Sequence, residues 1–99
     1  MLTIPQIQQA VTAYFKDKPV KRVYLFGSYA RGEATEESDV DLLVEYDDSK
    51  KVVSLFETFR YKLGLEDILN LQVELVSKGA VYHRFLPYIE KDKIEIFEA

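Results

Sequence analysis

The chain has 99 residues, enough for one domain with a single core but not for a core plus a separate substrate-holding domain. Its 13 basic and 17 acidic residues leave a net charge of −4, and no Lys/Arg cluster exceeds two adjacent residues, so a nucleic-acid substrate is disfavoured. Cysteine is absent, which excludes disulfides, zinc–thiolate sites and thiol catalysis, and the start of the chain has no apolar run resembling a signal peptide or membrane span; a soluble cytoplasmic protein is expected.

A first helix opens at Thr3, whose hydroxyl can cap, with Gln6 completing a capping box and Pro5 tolerated in the first turn. Ile4, Ile7, Val11, Tyr14 and Phe15 then share one face at helical spacing. Asp17, Lys18 and Pro19 break the helix, and Val20 to Phe26 reads as a β-strand. Gly27 to Ala34 is expected to be a turn and a short helix, followed by a polar loop over 35–38. In the next strand Val40, Leu42 and Val44 point one way, with Asp39, Asp41 and Leu43 the other. A turn follows over 46–49, where Asp47 and Asp48 suit the turn or the next helix cap.

Val52, Leu55, Phe56, Phe59 and Leu63 predict a second core-covering helix, with Gly64 as its stop. Residues 66–70 read as either a helical turn or a loop. Leu71 to Ser77 is a third strand whose Glu74 interrupts an otherwise buried pattern, and an unpaired buried carboxylate is costly. Helical spacing runs through Val81, Phe85, Tyr88 and Ile89, with Pro87 forcing a kink or a restart. Ile94 to Phe97 closes the sheet after a turn over 91–93. The expected fold is therefore α/β, a small mixed sheet of about four strands flanked by helices, in one domain over 1–99.

Function concentrates between Val23 and Val44, in VYLFGSYARGEATEESDVDLLV. Gly27 permits a sharp exit from the first strand, and the helix start beyond it offers backbone N–H groups and the Ser28 hydroxyl to an anion. Arg31 serves either a phosphate contact or a salt bridge to a nearby acid. Asp39 and Asp41, two apart on one strand, project from the same face and can hold divalent cations. Glu74 joins them if the first three strands are neighbours, and a cluster of hard carboxylate oxygens suits two Mg²⁺ ions and phosphoryl or nucleotidyl transfer. The single histidine, His83, cannot make a zinc site alone.

GSYARGEATEESDVDLLV resembles the signature of the polymerase-β-like nucleotidyltransferases, and the compact chain is similar to the minimal nucleotidyltransferases called MNT. VELVSKGAV and LPYIEKDKIEIFEA resemble that group's last carboxylate-bearing strand and its C-terminal helix and strand. The resemblance implies triphosphate binding near Gly27 and Ser28, metal binding by Asp39 and Asp41, and a third carboxylate at Glu74, where members usually carry Asp. It further implies ATP as substrate and a HEPN-domain toxin as partner, silenced when AMP is attached to a tyrosine hydroxyl. A non-catalytic antitoxin that covers its partner, and transfer to a small molecule such as an aminoglycoside, are the competing expectations; Glu74 separates the first of these from catalysis.

Overall fold

Strand β1 (Val20–Phe26) runs through the middle of the sheet, hydrogen-bonded antiparallel to β2 (Val40–Tyr46) on one side and to β4 (Ile94–Glu98) on the other. Strand β3 (Val73–Ser77) lies parallel to β2 at the edge, giving the order β3-β2-β1-β4. The computed structural model describes residues 1–80 and 86–99, so the expected helical positions Val81 and Phe85, together with Tyr82 and His83, lie outside the described residues. A parallel pair needs a crossover, and helix α3 (Leu55–Leu69) supplies it between β2 and β3.

Helix α1 (Ile4–Phe15) begins as the sequence predicts: the Thr3 hydroxyl accepts from the Gln6 N–H at 3.2 Å, and the Gln6 side chain accepts from the Thr3 N–H at 2.8 Å. Ile7, Val11 and Phe15 from α1 are fully buried. They meet Val23 and Leu25 of β1 and Val40, Leu42 and Val44 of β2 in one cluster, which Leu65 and Leu69 of α3 complete. Helices α1 and α3 thus cover the same face of the sheet, and Asp41, Leu43 and Glu45 alternate onto the other. Because Leu42 sits at the centre of the covered face with no exposure, Leu42→Ala is expected to cost about 3 kcal/mol, read as a lower midpoint in guanidinium unfolding with an unchanged slope.

The second helix departs from expectation. Its cap is Ser54, whose hydroxyl accepts from the Glu57 N–H at 3.1 Å, and its end is Asn70 in the left-handed region at φ 56°. Asp47 instead holds its own turn, accepting from the Ser49 N–H. Gly64 is no stop: a Cβ there would lie 2.7 Å from Tyr14 Cζ, so the glycine lets α3 pack closely on α1. Leu55, Phe56, Phe59 and Leu63, expected in the core, are all exposed. The helix carries two apolar sets, and the sheet accepts the one containing Leu65 and Leu69, beyond the point where the helix was expected to end. Glu66 then ties the helix to β3, its carboxylate accepting from Lys62 Nζ and from the Val73 N–H, both at 2.9 Å.

Strand β3 is shorter than the expected 71–77, and its edge position leaves Glu74 in solvent, so no buried charge needs compensation there. After a turn of 3-10 helix at Lys78–Ala80, helix α4 (Leu86–Asp92) places Pro87 in its first turn, where a missing N–H costs nothing. Lys91 and Asp92, expected in a turn, belong to this helix. Among the described residues no helix is long and apolar enough to cross a membrane.

Candidate active site

The end of β1 is where backbone and carboxylate come closest. Phe26 pairs with Asp41 across the ladder, and the next residue, Gly27, has φ +76°. A Cβ on Gly27 would strike the Asp41 carboxylate, lying 3.0 Å from its Cγ and 3.3 Å from its Cβ. Glycine at this position therefore meets two demands, a left-handed backbone and room for the acid.

Helix α2 (Gly27–Arg31) starts at that point and ends after one turn at Gly32, whose φ is +73°. Tyr29, 4% exposed, anchors it in the core. Ser28 was expected to offer its hydroxyl to an anion at this helix start; the cap position is Phe26, and no side chain makes a cap hydrogen bond. The first-turn amides are left without a side-chain partner, the condition under which a helix start receives an anion.

Three carboxylates approach the same end of the sheet. Asp41 is half-buried on β2, Glu74 is its direct neighbour in the parallel register with β3, and Asp39 stands exposed at the entrance to β2. Burial pushes the Asp41 carboxyl up to about 6, the charges of Asp39 and Glu74 add to the rise, and Arg31 opposes it. Both neighbouring acids are thus close enough for their fields to act on Asp41. Among the described residues no three Asp, Glu or His groups close into a cage for a metal ion. The arrangement is instead an open, under-neutralised set of hard oxygen donors, which fits a divalent cation such as Mg²⁺ that keeps water or phosphate oxygens in its shell.

Arg31 makes salt bridges to two acids. Its Nη1 lies 2.8 Å from Asp92 Oδ2 at the end of α4, and its Nε lies 3.3 Å from Glu33 Oε2. The guanidinium is pinned between α2 and α4 while still acting electrostatically on Asp41. Asp92 was not anticipated, because a partner 61 residues away leaves no local sequence signal.

Residues 4–98 match the nucleotidyltransferase domain family. Protein adenylyltransferase MntA of Thermococcus cleftensis is 39% identical over 85 residues, covering 82% of this chain and 83% of that one. MJ1379 of Methanocaldococcus jannaschii, whose name proposes protein adenylyltransfer, is 41% identical over 95 residues, covering 92% of this chain and 91% of the relative. In fold, the chain is similar to one in the solved complex of tri-AMPylated Shewanella oneidensis HEPN toxin with MNT antitoxin, with a TM-score of 0.74 at 15% identity, over 96% of this chain and 72% of that one. The Gly-Ser turn against Asp41, the Asp41–Glu74 register and a match along nearly the whole chain agree: this chain belongs to the nucleotidyltransferase domain family.

Proposed function

We propose that this chain transfers AMP from ATP to a hydroxyl, that of a tyrosine, on a HEPN-domain toxin and so acts as its antitoxin. The observation that carries the reading is the level pairing of Asp41 with Glu74 beside the glycine turn. A carboxylate trio this poorly neutralised is costly to keep unless a cationic substrate complex uses it.

Asp39 and Asp41 would hold the divalent cations, with Glu74 completing the second site. When bound, the cations neutralise triphosphate charge and acidify the acceptor hydroxyl. The protein's share is placement. The α2 amides and the Ser28 hydroxyl orient the triphosphate, and Arg31, pinned by Asp92, balances charge beside Asp41. The acceptor oxygen bonds to the α-phosphorus, the bond from that phosphorus to the bridging oxygen breaks, and pyrophosphate leaves with the electron pair. Glu74 takes the hydroxyl proton and passes it to solvent.

The register of Glu74 favours catalysis over a purely covering antitoxin, because its backbone pairs with that of Asp41 across the ladder. A small-molecule acceptor has less support, since similar chains are named for transfer to protein. Intact-mass analysis of the HEPN partner, incubated with this protein, ATP and Mg²⁺, tests the reading: whole AMP units appear with the wild type and not with an Asp39→Ala, Asp41→Ala double variant. Unmodified toxin still bound to the protein would sink the transferase reading. Glu74→Gln is expected to slow transfer roughly a hundredfold, with Glu74→Asp recovering most of the rate in the same assay.

A further inference from the structure

Helix α3 presents to solvent an apolar stripe that the fold leaves uncovered. Leu55, Phe59 and Leu63 recur every four residues with Phe56 beside them and Val52 just before the helix; they are 89%, 54%, 45%, 71% and 76% exposed, respectively. Helical spacing turns Phe56, Phe59 and Leu63 away from the Leu65 and Leu69 side that enters the core, with Leu55 at the margin between the two. At about 150–200 Å² for a fully exposed large apolar side chain, the stripe offers roughly 600 Å² per copy. That is the upper end of what a monomer leaves in one patch, and most of the roughly 800 Å² per partner found in a standard interface.

We propose that this stripe is the interface of a symmetric homodimer, in which α3 of two copies pack antiparallel about a two-fold axis between Phe59 and Leu63. Phe59 of each copy then rests on Leu63 of the other, and the contact closes on itself as an isologous interface does. Such an axis sets each flank of the helix against the same flank of the second copy. Arg60 and Asp67, both exposed, occupy one flank two turns apart. With the axis level with position 61, Arg60 stands nearest Arg60 of the second copy and Asp67 lies about 7–8 Å further along, so the contact rests on its apolar centre and not on its rim charges. A second copy is favoured over a protein substrate because α3 covers the sheet face opposite Asp41. A substrate hydroxyl must arrive at the carboxylate face, whereas back-to-back pairing leaves both carboxylate faces open. The inference goes beyond the transferase reading and does not depend on it.

Sedimentation velocity of the full chain over about 1–200 µM, a range that brackets micromolar dimers, tests it. The wild type is expected at twice its 11.5 kDa mass. Phe59→Glu with Leu63→Glu, both surface changes, is expected as a monomer with an unchanged circular dichroism spectrum. A wild type that stays monomeric over the whole range overturns the proposal, as does a dimer indifferent to the Glu substitutions. A monomeric wild type whose Glu variant fails to capture a HEPN toxin would assign the stripe to the toxin and also overturn it.

Discussion

Replacing Asp41 with Asn is expected to raise the melting temperature of the metal-free protein while removing roughly a thousandfold or more of its transfer activity. The stability half follows from charge. The Asp41 carboxyl is pushed from 3.8 up to about 6, first by burial and then by Asp39 and Glu74. The folded chain therefore keeps a proton on Asp41 to higher pH than the unfolded chain does. Between the two values the folded state binds more protons, so stability falls as pH rises through roughly 4 to 6 and stays lower above that window. The full shift corresponds to about 3 kcal/mol. Asp41 is only half-buried, and solvent screening reduces the penalty at neutral pH to about 1–2 kcal/mol. Asn keeps the shape without the charge, and for a domain of this size the relief amounts to roughly 5–10 °C. Calorimetry of both proteins from pH 4 to 7.5 without metal measures it: their difference should grow with pH and level off above about 6. Mg²⁺ should then stabilise the wild type and leave the Asn variant unmoved. A variant that melts lower than the wild type at pH 7 would show that the carboxylate is a structural acceptor and not a held charge.

The same charge cluster shows how far the sequence alone reaches. The Asp39–Asp41 spacing stood out because two acids in a run of Val and Leu have no solvation excuse, and the Gly-Ser turn is found where β1 gives way to α2. The capping box at Thr3 and Gln6 and the alternation of Val40, Leu42 and Val44 were equally local, and both are found in place. What escaped was whatever depends on which surface the chain later meets. Both apolar sets of α3 sit at helical spacing, and only the assembled sheet selects Leu65 and Leu69. Gly64 looked like a stop because the Tyr14 ring it makes room for comes from another helix. Glu74 looked buried because strand order is not written in any one strand; at the edge it is exposed, yet the register still sets it beside Asp41. Arg31 was undecided for the same reason, its partner Asp92 being at the far end of the chain.

Gly27→Ala should lose about a hundredfold or more in transfer and melt lower, whereas Gly32→Ala should lose only stability. The two glycines have nearly the same backbone, φ +76° and +73°, so the strain of placing an L side chain there, about 1–2 kcal/mol, is common to both. They differ in what a methyl group meets. At Gly32 nothing lies within 4 Å, whereas at Gly27 the Asp41 carboxylate occupies the space. That carboxylate cannot yield cheaply toward β3, where Glu74 stands, nor inward toward the apolar core. Either the turn moves off the triphosphate path or Asp41 moves off its position, and a displacement of about 1 Å in such a site costs on the order of a hundredfold in rate. Measuring melting temperature and AMP transfer on both variants separates backbone strain, which they share, from the contact, which only Gly27 has. Equal losses of transfer in the two would mean that the turn conformation alone governs the site. Loss confined to Gly27→Ala would mean that glycine is required there because the Asp41 carboxylate occupies the space that a side chain at position 27 would need.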